Sequence, residues 1–284
     1  MHTYFRFNNN NSMSLLPDVE LTICHIDSDY SSTAPIFNRE LIKTDFSHQQ
    51  DYRRIIGSKF TDGLTFKFAL IKTSINCTHE SFTLDEIETV TTWLYGNGIS
   101  QKLEVVCDEI PEYSYYYKGV FTNIERVRTN GTIAIVCTFE TDSPYLYINR
   151  SLSFSFSDTR VETINVRCPS TVYPKITFTP KIEDENVGLF FENRSNTSYI
   201  DFTLDKEEHS GYRITIDAKN GIISNGYGII PFSAIGWNNV DSISWMYLIN
   251  GENTLLLTSP NCSCDFEIEW EDKILGGVLN EFTV

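Results

Sequence analysis

The sequence is short of basic residues. Its 22 Lys and Arg stand against 38 Asp and Glu, which gives a formal net charge of −16 at pH 7. Surfaces that bind nucleic acid need clustered cations, so this composition argues against a protein that binds DNA or RNA. We expect the acidity either to keep an abundant or assembled protein soluble or to line a surface that must repel DNA.

Long apolar runs and a regular cysteine framework are also missing. No apolar run approaches the length that spans a membrane, and the polar start Met1–Asn11 lacks the apolar core of a signal peptide. The 7 cysteines form no even, closely spaced set, and Cys24, Cys107 and Cys137 lie inside apolar runs. We therefore predict a reducing compartment, no structural disulfides and no membrane partner.

The motifs of common enzyme classes are absent. The chain has no Gly-x-Ser-x-Gly elbow, no phosphate-binding loop and no dinucleotide fingerprint. Cys24 and His25 could form a nucleophile–base pair. Adjacent residues of a strand point to opposite faces, however, so we expect a buried Cys beside an exposed His.

Acidic and sulfur-bearing clusters offer the remaining candidates for chemistry. Glu183–Glu185 and Glu207–Glu208 could bind calcium or act as an acid/base pair, but EF-hand spacing is absent and we interpret them as solvated turns. Cys262 and Cys264 could belong to a metal site, yet two further ligands are missing nearby and the closest histidine is His209. We predict that the protein is not an enzyme, with no catalytic, cofactor-binding or metal-binding residue and no cofactor.

One segment, Phe82–Gly96, has a clear helical period. Thr83 is placed to cap the helix, and Glu86 can reach back to complete a capping box. Gly96 supplies the left-handed residue that ends it. Its apolar residues share one face, with Trp93 at the edge: Leu84, Ile87, Val90 and Leu94. Because such a helix must bury that face, we expect it to pack on a sheet made by the strands around it.

In the rest of the first half, apolar and polar residues alternate as they do in β-strands. The predicted strands are Leu21–Ile26, Gly63–Thr73, Leu103–Cys107, Tyr113–Ile124 and Thr132–Glu140. Residues 27–57 are polar and of mixed charge, which predicts a long loop or an exposed hairpin, and such excursions are often functional. Within the aromatic run Tyr115–Tyr117, alternation predicts that only Tyr116 is exposed.

The second half reads as short strands separated by turn residues. Before it, residues 149–172 are rich in Ser, Thr and Asn and predict a linker or a crossing strand. The predicted strands are Lys175–Thr179, Gly188–Glu192, Tyr199–Leu204, Tyr212–Asp217, Ile222–Ser224, Ile243–Leu248, Thr254–Thr258 and Asp265–Trp270. We therefore predict a mainly β chain of two domains. Residues 1–150 form a β-sheet or barrel domain with one packed α-helix, and residues 151–284 form a jelly-roll β-sandwich.

Several segments, taken in order, resemble the distal tail proteins of siphophages, the Dit family. The resemblance covers nearly the whole chain. It rests on Phe5–Asn8, Leu16–Thr22, Leu64–Ile71, Trp93–Leu94, Leu103–Val106, Tyr115–Lys118 and Thr138–Tyr145 in the first half, and on Tyr173–Thr177, Ile214–Ile223 and Gly251–Leu255 in the second. Two departures concern local turns: Cys168–Ser170 stands where the family often has Asn-Gly, and Gly211–Tyr212 where it commonly has a Glu.

The resemblance implies a non-enzymatic structural protein of the phage tail tip or baseplate. Residues 1–150 would close a homo-hexameric ring around the channel, and residues 151–284 would form a galectin-like domain that carries or braces receptor-binding proteins. The ring would join the tail tube protein and the end of the tape-measure protein to the tail-associated fibre or lysin protein. DNA would pass through without specific binding. The protein would be made in the host bacterial cytoplasm and reside in the virion. Residues 27–57 form either a ring-forming arm or a loop that faces a partner, and we favour the arm.

Two alternatives stay open at this point. The jelly-roll half could be a carbohydrate-binding module used in adhesion to the host cell wall, which predicts that residues 151–284 retain glycan. It could also be a glycoside hydrolase on a β-sandwich, which predicts activity that is lost when Glu183 or Glu207 is substituted.

Overall fold

The structure, a computed structural model, describes residues 3–8, 10–17, 19–24, 39–43, 55–60, 63–73, 81–107, 115–129, 131–183, 186–236 and 245–275. The chain divides into two compact units, Met1–Ile148 with Ile274–Val284, and Asn149–Lys273. The predicted second domain runs to the end of the chain, whereas Ile274 and Leu275 group with the first unit. The roles assigned to the two domains stay predictions.

The first unit contains strands and one long helix. Its described strands are β1 (Thr3–Phe7), β2 (Asn10–Asn11), β3 (Glu20–Cys24), β4 (Arg39–Lys43), β5 (Ile55–Phe60), β6 (Thr65–Thr73), β7 (Gln101–Cys107), β8 (Tyr115–Arg128) and β9 (Thr132–Thr141). The helix α1 spans Leu84–Tyr95, and β10 (Tyr145–Val166) passes into the second unit. Residues 149–166 are therefore a crossing strand and not a linker.

Strand β8 takes part in two sheets of the first unit. Residues 115–119 pair with β7, and residues 119–128 pair with β9. One sheet continues from β7 through β1 to β2, and the other from β9 through β6 to β3. A Cβ on Gly119, where the partner changes, would lie 2.1 Å from the Glu140 carbonyl oxygen, so the crossing requires glycine.

Helix α1 follows the predicted ends but buries a shorter stripe. Thr83 caps it, Glu86 completes the capping box, and Gly96 ends it with φ 55°. Its buried residues are Val90, Trp93 and Leu94, which share a core with Phe5, Phe7, Phe68, Leu103, Ile135 and Phe139. The placement of Leu84 in that core is wrong: it is 77% exposed, because the first helical turn lies beyond the core's edge. Trp93 is buried as well, at one edge of this stripe.

The second unit is built from two sheets around its own core. Its elements are β11 (Lys175–Ile182), β12 (Asn186–Asn193), β13 (Ser198–Asp205), a four-residue helix α2 (Lys206–His209), β14 (Ile214–Asp217), β15 (Ile222–Asn225), β16 (Gly228–Ile229) and β17 (Gly251–Leu275). The order β16-β15-β14-β11-β17 makes one sheet, and β13-β12-β17 the other. Side chains that alternate along these strands fill the core, among them Phe178, Leu189, Phe191, Phe202, Leu257 and Phe266.

Strand β17 corrects the prediction of two separate strands, Thr254–Thr258 and Asp265–Trp270. Residues 255–258 pair with β12, and residues 262–269 pair with β11, so one strand serves both sheets. Pro260 and Asn261, which look like a turn, form the corner instead, with Asn261 at φ 57°. The predicted strand Ile243–Leu248 is also wrong where the structure describes it, because from Trp245 onward it makes only an isolated bridge between Leu248 and Val172.

The described helices are too short or too polar to cross a membrane.

Candidate functional site

The amino end of α1 is fixed by a buried ion pair. The Lys72 ammonium lies 2.9 Å from a Glu86 carboxylate oxygen and also donates to the Ser81 carbonyl at 3.2 Å. The Glu86 carboxylate in turn accepts from the Thr83 amide at 2.7 Å. Burial alone would raise the pKa of Glu86, but hydrogen bonds from Lys72 and Thr83 outweigh it and lower that pKa below its ordinary value. The cap therefore also ties the helix to β6.

The carboxyl half of α1 is fixed by aromatic contacts. The Trp93 ring stacks on Phe5 with 5.0 Å between centroids, and its indole N–H donates to the Phe7 carbonyl at 2.6 Å. A Cβ on Gly96 would lie 2.9 Å from the Phe7 ring, so the helix end sits against β1. Helix α1 is thus held by its amino end on β6 and by its carboxyl half on β1.

The outward face of α1 is left open in the part of the chain that the structure describes. Leu84, Tyr95 and Ile99 are 77%, 71% and 65% exposed although they are large and apolar. Between them the exposed carboxylates of Asp85 and Glu88 border a cleft of about 560 Å³ that also touches Asn8, Leu15 and Trp93. Sequence analysis misses this surface because Leu84 has the spacing of a core residue.

Strands β4 and β5 form a two-stranded antiparallel ribbon, which we call the ribbon. It pairs from Arg39 opposite Phe60 to Lys43 opposite Ile55, and no other described strand extends it. Leu41 and Ile42 are each 44% exposed. The sequence predicts either a long loop or an exposed hairpin for residues 27–57. Those of them that the structure describes belong to the paired strands of the ribbon, as in a hairpin. An isolated two-stranded ribbon is marginally stable, so it requires a further contact.

The prediction for Tyr116 is wrong. Its side chain is 3% exposed, because its ring stacks on Tyr147 at 5.4 Å between centroids and the Lys102 ammonium lies over it at 4.3 Å. Lys118 covers the Tyr147 ring in the same way at 4.2 Å. Alternation does put Tyr116 on the opposite face from Tyr115 and Tyr117, but cross-strand neighbours bury that face as well.

The acidic candidates occupy turns. Glu207 and Glu208 lie exposed in the first turn of α2, where Asp205 accepts from both of their amides. His209, the histidine nearest the cysteine pair in sequence, is buried with its Nδ1 at the Asp205 backbone. Glu183 is exposed, and its carbonyl accepts from the Lys206 ammonium at 2.7 Å; Asp184 and Glu185 lie outside the described residues.

The cysteines whose side chains the structure describes are free and buried: Cys137, Cys168, Cys262 and Cys264. Burial raises the pKa of the Cys137 thiol to about 12. Burial, and then the neighbouring Cys262 thiol, raise that of Cys264 to about 12. Such thiols are poor nucleophiles and poor metal ligands. Within the described residues no three His, Cys, Asp or Glu side chains gather to hold a metal ion. His25 and the Cys24 side chain lie outside the described part.

The first half of the chain matches one family model. The DUF6558 family, described as phage tail protein N-terminal domain, aligns with residues 1–143. The chain belongs to this family. It is accordingly a phage tail protein, a structural component with a place in the virion. A search among curated proteins finds no match.

A solved structure shows the fold of this phage tail protein over 97% of the chain. The Dit protein of phage SPP1, described as a paradigm of the hub adsorption apparatus in phages that infect Gram-positive bacteria, is similar with a TM-score of 0.58 at 11% identity, over 97% of this chain and 100% of that one. The phage P2 baseplate in its activated conformation with Ca gives a TM-score of 0.47 at 10% identity, over 95% and 98%. The first similarity confirms the predicted mainly β fold with one packed helix.

Proposed function

We propose that this phage tail protein is the hub of a tail tip or baseplate. Six copies form a ring that joins the tail tube protein and the tape-measure end to the tail-associated fibre or lysin protein. DNA crosses the ring without specific binding. The observation that carries the proposal is the similarity in fold to the SPP1 hub protein over 97% of this chain and 100% of that one. The family match over residues 1–143 supports it independently.

Residues 149–273 hold the outward position in this proposal, as a galectin-like domain that carries or braces receptor-binding proteins. The hub role needs no catalysis, and we propose that the protein is not an enzyme. Its candidate carboxylates support that view, because Glu207 and Glu208 lie exposed in the first turn of the capped four-residue helix α2. Synthesis in the host cytoplasm is consistent with the free thiols of Cys137, Cys168, Cys262 and Cys264.

Two open surfaces of the first unit support ring formation, because exposed apolar side chains lie beside charged ones on both. The ribbon strand β4 exposes Leu41 and Ile42 between the carboxylate of Glu40 and the ammonium of Lys43. The outward face of α1 exposes Leu84 and Tyr95, with Asp85 and Glu88 between them. Apolar side chains can therefore meet apolar ones while the cation of one surface meets the carboxylates of the other.

The two surfaces are also alike in length. The 12 residues of α1 extend over about 18 Å. The 5 residues of β4 extend over about 17 Å. A contact between two different patches of neighbouring copies is head-to-tail, and such contacts close into rings when the rotation between copies allows it. We place the ribbon of one copy along α1 of the next.

Charge reversal tests this arrangement on the full-length protein. Mass photometry of the wild type, alone and with its tail tube protein, should show a hexamer. Lys43→Glu and Glu88→Lys should each shift the population to monomers, because each variant sets like charges against each other. The double variant should recover the ring, since it restores an opposite-charge pair.

Glu252→Lys is the matched control, because it reverses an exposed carboxylate of the second unit and changes the net charge by the same amount as Glu88→Lys. It should leave the ring intact. A wild-type protein that stays monomeric even with the tail tube protein would contradict the hub. A wild-type ring that neither reversal affects would leave the hub standing and reject the ribbon contact.

A further inference from the structure

The two outer faces of the second unit differ in chemistry. On the face formed by β11, β14 and β17, charged side chains of neighbouring strands pair with one another. Lys175 meets Glu269 at 2.8 Å, Lys181 meets Asp265 at 3.0 Å, and the Arg213 guanidinium meets Glu267 at 3.2 Å. This face is a solvated surface with its charges satisfied.

The outer face of β12 and β13 presents an aromatic pair instead. Leu189, Phe191, Ile200 and Phe202 point into the core, so by alternation Phe190 and Tyr199 point outward. Their rings lie 5.5 Å apart between centroids at an interplanar angle of 34°. Tyr199 is exposed and Phe190 half-buried, so the pair offers ring surface to solvent on the edge strand β13 and its neighbour β12.

Gly188 leaves a gap beside this pair. It lies two residues from Phe190 on the same face of β12, and a Cβ built on it would meet no atom within 4 Å. A ligand can therefore approach the strand backbone next to the Phe190 ring. We call the gap at Gly188 and the two rings of Phe190 and Tyr199 together the step.

Hydrogen-bond acceptors surround the step. The Asp201 carboxylate is directly across from Phe190, is exposed and pairs with no cation in the described parts of the chain. Thr258 flanks Phe190 on the other side, in the register between β12 and β17. The Glu192 carboxylate is across from Tyr199 and lies 3.7 Å from the Arg194 guanidinium. The acceptors thus outnumber the cations around the rings.

We propose that Phe190, Tyr199, Asp201 and the Gly188 gap form a binding site for a neutral glycan. A sugar ring carries C–H groups on one face, which pack on an aromatic ring, and hydroxyl groups at its edge, which donate to carboxylate and accept from threonine hydroxyl. The step provides both kinds of contact within one face. The site lies outside the surfaces assigned to the hub and does not depend on that role.

The residues on the outer face of β12 and β13 also disfavour two other classes of ligand, phosphate-bearing polymers and tight protein partners. A phosphate-bearing polymer would meet Asp201 and Glu192 before any cation except Arg194, so like charges repel it. A tight protein partner needs a desolvated apolar centre. Here the rings are flanked by carboxylates and a glycine on a sheet three strands wide.

Isothermal titration calorimetry on the full-length protein tests the site. The probes are neutral oligosaccharides with glucose, galactose, rhamnose or N-acetylglucosamine repeats, and poly(glycerol phosphate) as the anionic probe. At least one neutral probe should bind. Tyr199→Ala, which removes a stacking ring, and Gly188→Val, which fills the gap, should each weaken that binding about tenfold or more.

The same experiment includes controls that separate loss of binding from loss of folding. Gly188 has open space and no left-handed φ, so valine fits the strand and the melting temperature should not fall. Tyr212→Ala removes an exposed tyrosine elsewhere on the unit and should leave binding unchanged. The proposal is overturned if no neutral probe binds, if only poly(glycerol phosphate) binds, or if all variants bind equally. It is also overturned if Tyr199→Ala abolishes binding of another tail protein while no glycan binds, since the face then serves a protein.

Discussion

Lys72 is a buried cation whose charge is balanced by one carboxylate. Glu86→Ala would remove that carboxylate together with the acceptor of the Thr83 amide. We expect the free energy of unfolding to drop by about 3 kcal/mol, the lower end for a broken buried pair, because the Glu86 side chain keeps 19% of its surface exposed. Urea titration followed by circular dichroism measures the change.

The double variant Lys72→Met/Glu86→Gln separates charge from capping. It removes both charges and keeps an acceptor for Thr83, so it should recover most of the loss. The pKa of Glu86 is lowered from its ordinary value of 4.5 in the folded chain. The contribution of ionised Glu86 to the free energy of unfolding is therefore complete above pH 4.5 and is lost as the pH falls through the lowered pKa. A stability difference between wild type and double variant that stays constant into the acid range would contradict this assignment.

Two glycines allow a matched comparison. Gly119→Ala would put a Cβ 2.1 Å from the Glu140 carbonyl oxygen, whereas a Cβ at Gly188 meets nothing within 4 Å. We expect the first variant to lose about 1–3 kcal/mol through forced separation of β8 and β9. Gly188→Ala should raise the free energy of unfolding by up to about 1 kcal/mol, since alanine restricts the unfolded chain. Equal melting temperatures for the two variants would show that β8 does not cross between sheets at Gly119.

At the scale of elements, α1 holds the first unit together through Trp93. Trp93→Ala removes the stack on Phe5 and the hydrogen bond to the Phe7 carbonyl. We expect a loss of about 3–5 kcal/mol, as for other large buried aromatic residues. Hydrogen exchange read by mass spectrometry should quicken in the described residues of 3–148 and stay unchanged in residues 149–273. Because the loss of stability falls on the first unit, Trp93→Ala should weaken any ring assembly before it affects the second unit.

Tyr95→Ala is the control on the same helix. Tyr95 is exposed on the outward face, so its removal should change the free energy of unfolding by less than about 0.5 kcal/mol. Faster exchange in both units for Trp93→Ala would contradict the view that α1 serves the first unit alone.

The elements that sequence analysis predicts well are those fixed by neighbours along the chain. Thr83, Glu86 and Gly96 cap α1 through local backbone and side-chain contacts, so their spacing is enough to predict both of its ends. Strand β17 is different, because Pro260 and Asn261 are compatible with a turn or with a corner. Only the distant strands β11 and β12, which take the two halves of β17, decide between them.

The same distinction explains the candidate surfaces. Burial of Tyr116 depends on Tyr147 and Lys102, neither of which adjoins it in sequence. Leu84 is exposed because the core ends before the first turn of the helix, and periodicity along one helix does not predict how far the core extends. The pairing of Phe190 with Tyr199 follows from the register of β12 and β13. Periodicity predicts which face a residue takes, and tertiary neighbours decide whether that face is covered.

The protein carries many more carboxylates than cations that could contact phosphate. The net charge of −16 leaves 22 Lys and Arg against 38 Asp and Glu. Several of the described cations already meet carboxylates of nearby strands: Arg150 pairs with the buried Asp272 at 3.2 Å, and Lys219 with Glu271 at 4.0 Å. Duplex DNA binds proteins mainly through such cations, with an affinity that rises as salt is lowered. An acidic hub would let DNA pass because its carboxylates outnumber the cations that could hold the phosphates.

The full-length protein should therefore leave duplex DNA unshifted in an electrophoretic mobility assay, even at about 50 mM salt, where phosphate contacts are strongest. A basic DNA-binding protein of similar size, run beside it, shows that the assay detects such contacts. The assay is repeated on the ring fraction, because assembly could gather cations that lie apart in one copy. A shift by the ring that weakens as salt is raised would mean that its channel is lined by cations, and the acidity would then belong to the outside of the hub.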